Sequence, residues 1–212
     1  MTIPLQNPRA LYVGGEWVEP PRDAAEAVLN PATEEVIGLA PVGTRVEVDA
    51  AIAAAREAFD KGPWPRMSGK ERAAKLQAMH AVLMRRKPEI VALIVAEAGA
   101  TQALADFLQF GIPMKHAQYY IDIADRPAVS SLPVEVNRSA NGKILGAGVT
   151  VREPAGVVAG ISAYNFPFFL NLAKVFPALA AGCTIVLKPS PYTPFEALIL
   201  GEAAEEAGLP KG

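Results

Sequence analysis

The chain has 212 residues, 51% hydrophobic and 20% charged, with a formal net charge of −2. This balance describes a soluble globular protein with a real core and argues against a nucleic-acid or anionic-membrane partner. A single cysteine excludes an internal disulfide and points to a reducing compartment, and no apolar run is long enough to span a bilayer.

Met1–Arg9 lacks the charged and apolar regions of a secretory leader, so a cytoplasmic location is expected. Leu11–Val18 reads as a hairpin turned at Gly14-Gly15, and Val28–Gly38 as a second, turned near Pro31 to Glu34. Thr44-Arg-Val-Glu47 is a capping box that opens a helix to Lys61, with Gly62 as its stop. Ser68-Gly-Lys-Glu71 opens a second helix through Arg86, with Leu76, Met79 and Leu83 on one face. Pro88 starts a third, to about Ala98, closed by Gly99. Thr101 to Ala124 is helical, with a break expected at Gly111-Ile-Pro113. From Pro133 to Arg152 the pattern becomes β-branched and alternating, and Asn141-Gly142 signals a type I′ turn in a two-stranded arm. Asn137-Arg-Ser139 matches a glycosylation acceptor, which a cytoplasmic protein leaves unused.

The centre of the chain is Gly156–Ser190. Val157, Val158 and Ile161 belong to a charge-free β run, as in a sheet covered on both faces. A tight loop, Ser162-Ala-Tyr-Asn-Phe166, leads to Pro167 at the first position of a helix that closes near Gly182. Cys183–Leu187 is again charge-free and β-rich, and Lys188 arrives as that strand ends. Two parallel strands joined by a helix form a β–α–β unit, whose ligands bind beyond the C-terminal strand ends. Asn165 and Lys188 both fall at that edge. Thr193-Pro-Phe-Glu196 reads as a third capping box, for a helix to Gly208. The alternation then calls for another strand, so the sequence looks cut short; two strands alone are too few to bury their faces.

Each chemical candidate has a plainer reading. Asn165 is either a turn residue that tolerates the left-handed conformation or caps the helix, or an amide aimed at a developing oxyanion. Tyr164, Phe166, Phe168 and Phe169 suit a water-poor pocket and core packing equally. Lys188 either reaches solvent or donates to a ribose hydroxyl or phosphate. Cys183 follows a helix-ending glycine with no local cation, so it reads as an inert core thiol. His80 and His116 read as ordinary helix residues, and no metal site is expected. Gly146-Ala-Gly148 lacks the third glycine and the helix of a dinucleotide fingerprint.

Taken together, Tyr12–Trp17, Asn30–Glu35, Asp49–Ile52, Glu71-Arg-Ala73, Tyr119-Tyr120, Glu153–Pro167 and Pro177–Ser190 resemble the aldehyde dehydrogenase superfamily from end to end. The resemblance implies an α/β fold: an incomplete Rossmann-like parallel sheet with helices on both faces, plus an antiparallel β-hairpin oligomerisation arm. It implies residues 1–128 as hairpins and helices of the cofactor-binding domain, 129–152 as the arm and 153–212 as the first βαβα unit. It implies NAD(P)-dependent oxidation of an aldehyde, with NAD or NADP as cofactor, and a homo-oligomer, dimeric or tetrameric when full length.

Asn165 would polarise the aldehyde carbonyl. Ile161, Ser162, Ala163 and Tyr164 would line the cofactor cleft, Lys188 and Ser190 would bind the adenosine ribose, and Pro189 would shape that strand end. Phe166, Phe169, Leu170 and Ala173 would line the aldehyde tunnel. Ala163-Tyr164 replaces the family's usual Pro-Trp. Pro191 stands where many NAD-preferring members carry a glutamate, and Ala173 where several carry a large aromatic, which implies a wide tunnel. The nucleophilic cysteine and general-base glutamate would lie beyond Gly212, leaving the chain alone inactive. Two other readings stand beside this one: a non-catalytic binding or subunit-contact module, and a CoA- or phosphate-linked reductase of the same superfamily.

Overall fold

The computed structural model describes residues 3–212, with Ser139 described by its backbone alone. Met1 and Thr2 of the N-terminal reading, and the serine side chain of the glycosylation match, lie outside the described residues. β1 (Leu11–Val13) and β2 (Glu16–Val18) pair antiparallel across Gly14-Gly15, both glycines at positive φ. β3 (Ala25–Leu29) and β4 (Val36–Pro41) form the second hairpin. Asn30 holds its loop: its side chain accepts from the Ala32 amide at 2.9 Å and its carbonyl from the Glu34 amide at 2.8 Å.

The first two of the three expected capping boxes are present. Thr44 accepts from the Val46 amide at the start of α1 (Arg45–Lys61), and Glu47 accepts from the Thr44 amide at 2.8 Å. Ser68 and Glu71 do the same for α2 (Gly69–Arg85). Gly62 stops α1 in extended backbone, not in the left-handed conformation glycine usually supplies. The Arg66 guanidinium takes up the last carbonyls instead, donating to Gly62 at 2.5 Å and Asp60 at 2.6 Å. α3 (Lys87–Ala98) does end in a left-handed glycine: Gly99 has φ +66°, and a Cβ there would sit 2.8 Å from Pro31.

The break expected at Gly111-Ile-Pro113 is absent. A short α4 (Gln102–Leu104) runs into a π-type segment, Ala105–Gly111, and on into α5 (Ile112–Ile123) as one rod. The Ile112 amide bonds to the Phe107 carbonyl, five residues back. Pro113 has no amide to give and would press its ring on a carbonyl four residues earlier; the widened turn relieves that clash without ending the helix.

The arm is two antiparallel pairs. β5 (Val129–Ser131) pairs with β8 (Val149–Val151), and β6 (Glu135–Ser139) with β7 (Gly142–Gly146). Ser139 faces Gly142, so Ala140 and Asn141 are the central turn residues and Gly142 (φ +124°) opens the return strand. A type I′ turn centred on Asn141-Gly142 would pair Ala140 with Lys143 and needs the register moved by two residues.

β9 (Val157–Ile161) and β10 (Thr184–Lys188) pair in parallel across α6 (Pro167–Ala180). α1 and α6 cover opposite faces of that sheet. The Thr184 hydroxyl donates to the Ala55 carbonyl of α1 at 2.9 Å. A Cβ at Gly160 would instead meet Leu187, Ile185 and Lys174 of α6. The main core lies where α6 meets α2, α3, α5 and the last helix, α7 (Phe195–Glu206). Leu76, Leu83, Leu93, Phe176 and Ile199 are almost wholly buried there, and Phe110 stacks on Phe168 with ring centroids 5.4 Å apart. Among the described residues no helix is long and apolar enough to cross a membrane.

The third capping box is not formed. α7 begins after Pro194 with no side-chain cap of its own. Thr193 and Glu196 are buried; the Thr193 hydroxyl has no hydrogen-bond partner among the described residues, and the Glu196 carboxyl faces Glu97 of α3 and not the Thr193 amide. The Phe195 amide donates instead to Glu97 Oε1 at 3.1 Å, across from α3. A side chain pulled into the core cannot fold back onto its own helix end.

Candidate functional site

The parallel register sets Lys188 opposite Ile161, so β9 and β10 end side by side. The Ser162 amide extends the ladder by one bond, to the Lys188 carbonyl at 3.2 Å. Beyond it the two chains diverge into the Ala163–Phe166 loop and the Pro189–Pro194 loop. Edges of this kind collect ligands because backbone groups and loop side chains converge there with no sheet left to pair them.

The sequence candidates separate by depth. Ser162 and Ser190 are buried, while Ile161, Ala163, Tyr164, Asn165, Lys188 and Ala173 are exposed. Pro189, Phe166, Phe169 and Leu170 lie between these extremes. α6 opens at Phe166 with no side-chain cap, so Asn165 does not cap the helix, which leaves its turn and oxyanion readings. The Ser190 hydroxyl accepts from the Tyr192 amide at 3.3 Å and thereby fixes the second loop. Among the described residues the Lys188 ammonium bonds only to the Pro189 carbonyl, at 3.4 Å, and it is exposed to solvent.

Sequence reasoning missed two members of this edge. Asn171 is fully buried on α6 and accepts from the Ser162 hydroxyl at 2.6 Å, which anchors the start of the first loop to the helix behind it. Tyr192 meets Tyr164 edge to face, with centroids 5.8 Å apart, so the two loops brace each other. An asparagine inside an apolar helical stretch is a signal for the first; the tyrosine pair has none, because its members lie on separate loops.

On α6, Phe169 and Ala173 stand one turn apart on the same side. The His116 ring of α5 meets Phe169 edge-on at 5.5 Å. His80 is turned inward, its Nε2 3.1 Å from the Met114 carbonyl. Cys183 is 3% exposed, as expected of a core thiol. The expectation of no neighbouring cation is corrected: Arg72 lies close enough to interact with it electrostatically. That guanidinium is committed to the Ala180 and Met67 carbonyls. An apolar cavity of about 420 Å³ borders the second loop, running from Gly14 past Val48 and Leu187 to Lys188, Pro189 and Ser190, but does not reach Asn165. Among the described residues no three His, Cys, Asp or Glu side chains converge as a metal cluster.

A parallel β–α–β unit with helices on both faces and its loops gathered at the C-terminal strand edge defines a Rossmann-like α/β protein. The aldehyde dehydrogenase family model matches residues 17–212, and the chain belongs to that family. It is 36% identical over 212 residues to geranial dehydrogenase of Castellaniella defragrans, covering 100% of this chain and 42% of that protein. Among solved structures, a Mycobacterium tuberculosis aldehyde dehydrogenase complexed with NAD+ superposes with a TM-score of 0.83 at 39% identity, over 96% of this chain and 40% of that one. A mutant of aldehyde dehydrogenase C from Pseudomonas syringae, complexed with NAD+ and octanal, gives 0.85 at 34% identity, over 100% of this chain and 40% of that one. The chain thus spans about two fifths of the length of the relatives it matches.

Proposed function

We propose that this chain forms the cofactor-side part of an enzyme that oxidises an aldehyde to a carboxylic acid with NAD or NADP. The observation that carries the reading is the meeting of two loops at one sheet edge. An exposed amide, Asn165, lies on one, and an exposed ammonium, Lys188, at the start of the other. NAD(P) supplies the hydride acceptor when bound. The backbone of Ile161, Ser162, Ala163 and Tyr164 lines the cleft, Lys188 and Ser190 donate to the adenosine ribose, and Pro189 turns the strand end beneath it. The exposed lysine and the strand edge fit such a group: charge and backbone donors are present.

Asn165 donates its amide to the aldehyde oxygen as that oxygen gains negative charge. Phe166, Phe169, Leu170 and Ala173 wall an apolar approach that keeps water from the reacting carbon. The nucleophilic thiolate and general base of the family mechanism are not assigned to this chain. Its one thiol, Cys183, is buried, and a reactive cysteine needs exposure and a cation free to hold the thiolate. Pro191 carries no charge beside the ribose, so nothing there repels a 2′-phosphate, and both cofactors are accepted. The arm, with Val134, Leu145 and Val149 exposed, serves as a subunit contact in a homo-oligomer.

The test is Asn165→Ala in the complete enzyme, assayed by NAD(P)H absorbance. Loss of one oxyanion donor costs roughly 10²–10³ in turnover; cofactor affinity stays unchanged. Unchanged turnover with a lower melting temperature returns Asn165 to a turn role. A preference for NAD above about 10³-fold, or roughly 4 kcal/mol, sinks the dual-cofactor reading.

A further inference from the structure

The start of α7 is held from outside, by a carboxyl. Glu97 stands at the C-terminal end of α3 and is 4% exposed; Glu196, in the first turn of α7, is wholly buried. Glu97 Oε1 accepts from the Phe195 amide at 3.1 Å. Its carboxyl lies within hydrogen-bonding reach of the Glu196 carboxyl, and the Thr193 hydroxyl has no hydrogen-bond partner among the described residues.

Other charges stand on the elements packed against α3 and α7: Arg85 and Lys75 on α2, Lys174 on α6, and Asp106 in the π-type segment. Arg85 pairs with Glu206, and Lys87 with Asp106. Arg86 is taken by Glu89 and Glu202. The charged group acting on Glu97 is Glu196, and neither carboxyl of the pair meets a cation among the described residues. Two ionised carboxylates side by side in a dry interior repel strongly, whereas a carboxylic acid donates to its neighbour.

The loop before α7 depends on this junction. The Thr193 amide donates to the Ser190 carbonyl at 3.2 Å and the Tyr192 amide to the Ser190 hydroxyl at 3.3 Å, so Ser190–Thr193 is one turn, running through Pro194 into Phe195. We propose that Glu97 and Glu196 form a proton-holding carboxyl clasp that positions the Ser190–Thr193 turn, and with it Lys188 and Ser190, and that lets go in alkaline solution. The effect on cofactor rests on the site reading above; the clasp itself does not.

The sign follows from the direction of the shifts. Burial pushes both carboxyls up, Glu97 well above the ordinary range. In acid, folded and unfolded chains are both protonated and nothing is lost. As pH rises past the ordinary carboxylate range, the unfolded chain ionises first and the folded chain must hold its proton, so stability falls.

Thermal unfolding of the whole protein between about pH 5 and pH 9 tests this. Glu97→Gln keeps an oxygen for the Phe195 amide and gives a permanent donor to Glu196. It should flatten the alkaline fall and melt at least about 3 °C above wild type at the upper end. Glu196→Gln should flatten it likewise from the other side. Slopes equal to wild type in both variants overturn the clasp. So does protection by potassium chloride over tetramethylammonium chloride that vanishes in Glu97→Gln, since a metal ion would then hold the carboxyls together. NAD and NADP titrations across the same range read the positioning role: affinity should fall with pH in wild type and hold in Glu97→Gln. Flattened melting with pH-independent affinity keeps the clasp and overturns its hold on Lys188 and Ser190. Flattened melting with no cofactor bound at any pH supports the clasp and sinks the cofactor reading instead.

Discussion

Glu202 ties the N-terminal segment to α7, and its removal has a calculable cost. One carboxylate oxygen accepts from the Gln6 and Asn7 amides at 2.6 and 3.3 Å, and the other from Arg86 at 2.6 Å. The side chains of Glu202 and Arg86 are only 5% and 13% exposed. Breaking a buried ion pair from one side costs about 3–5 kcal/mol, because the remaining charge is stranded. Arg86 is not stranded completely: it keeps Glu89, itself 44% exposed, and the Pro4 carbonyl at 2.6 Å. Glu202→Ala therefore belongs near the low end, about 3 kcal/mol, with the Gln6 and Asn7 amides left seeking water. Glu202→Gln keeps an acceptor for those amides but faces Arg86 with no charge, and should cost about 1–2 kcal/mol. Urea unfolding measures both, with the slope unchanged if only stability moves. Hydrogen exchange at Gln6 and Asn7 should accelerate in the alanine variant well before global unfolding. A loss below about 1 kcal/mol in Glu202→Ala, or unchanged protection of the two amides, refutes the reasoning, since the network would then be no better than a surface pair.

Gly99→Ala should destabilise by about 1–2 kcal/mol, since a non-glycine residue must adopt the left-handed region and its Cβ would press on Pro31; a urea midpoint within error of wild type counts against the tight contact. Cys183 should resist a disulfide reagent in the folded protein and react only as fast as it unfolds, and the 212-residue chain should oxidise no aldehyde with either cofactor; rapid native labelling, or turnover lost in Cys183→Ser, refutes this.

Where a local rule decided the structure, the sequence was legible. Thr44–Glu47 and Ser68–Glu71 each lie on a surface where a short side chain can fold back on its helix, and both capping boxes formed. Thr193–Glu196 has the same spelling but sits under β4, where a Cβ at Gly38 would lie 3.0 Å from the Phe195 ring, and burial overrode the local preference. Gly14-Gly15 turned its hairpin as read, whereas the Asn141-Gly142 turn took a neighbouring register that spacing alone does not distinguish. The strand–loop–helix–strand at Val157–Lys188 was readable from charge-free β runs and a proline at a helix start. The bond between Ser162 and Asn171 and the Tyr164–Tyr192 contact were not, because they join residues whose proximity exists only after folding.

The π-type turn before α5 gives the rod an unusual tolerance. A helix advances 100° per residue, since 3.6 residues make a full turn. The widened turn stores one residue beyond what a regular helix of that height would use. Deleting a single residue between 105 and 111 would therefore remove little length. It would turn the widened turn into a regular α turn and leave the helix faces on either side of it in their present phase. The change would fall on residues inside the turn, Phe110 against Phe168 and Asp106 against Lys87 among them. One residue inserted here has no such slack and would rotate the helix before it by about 100° relative to α5.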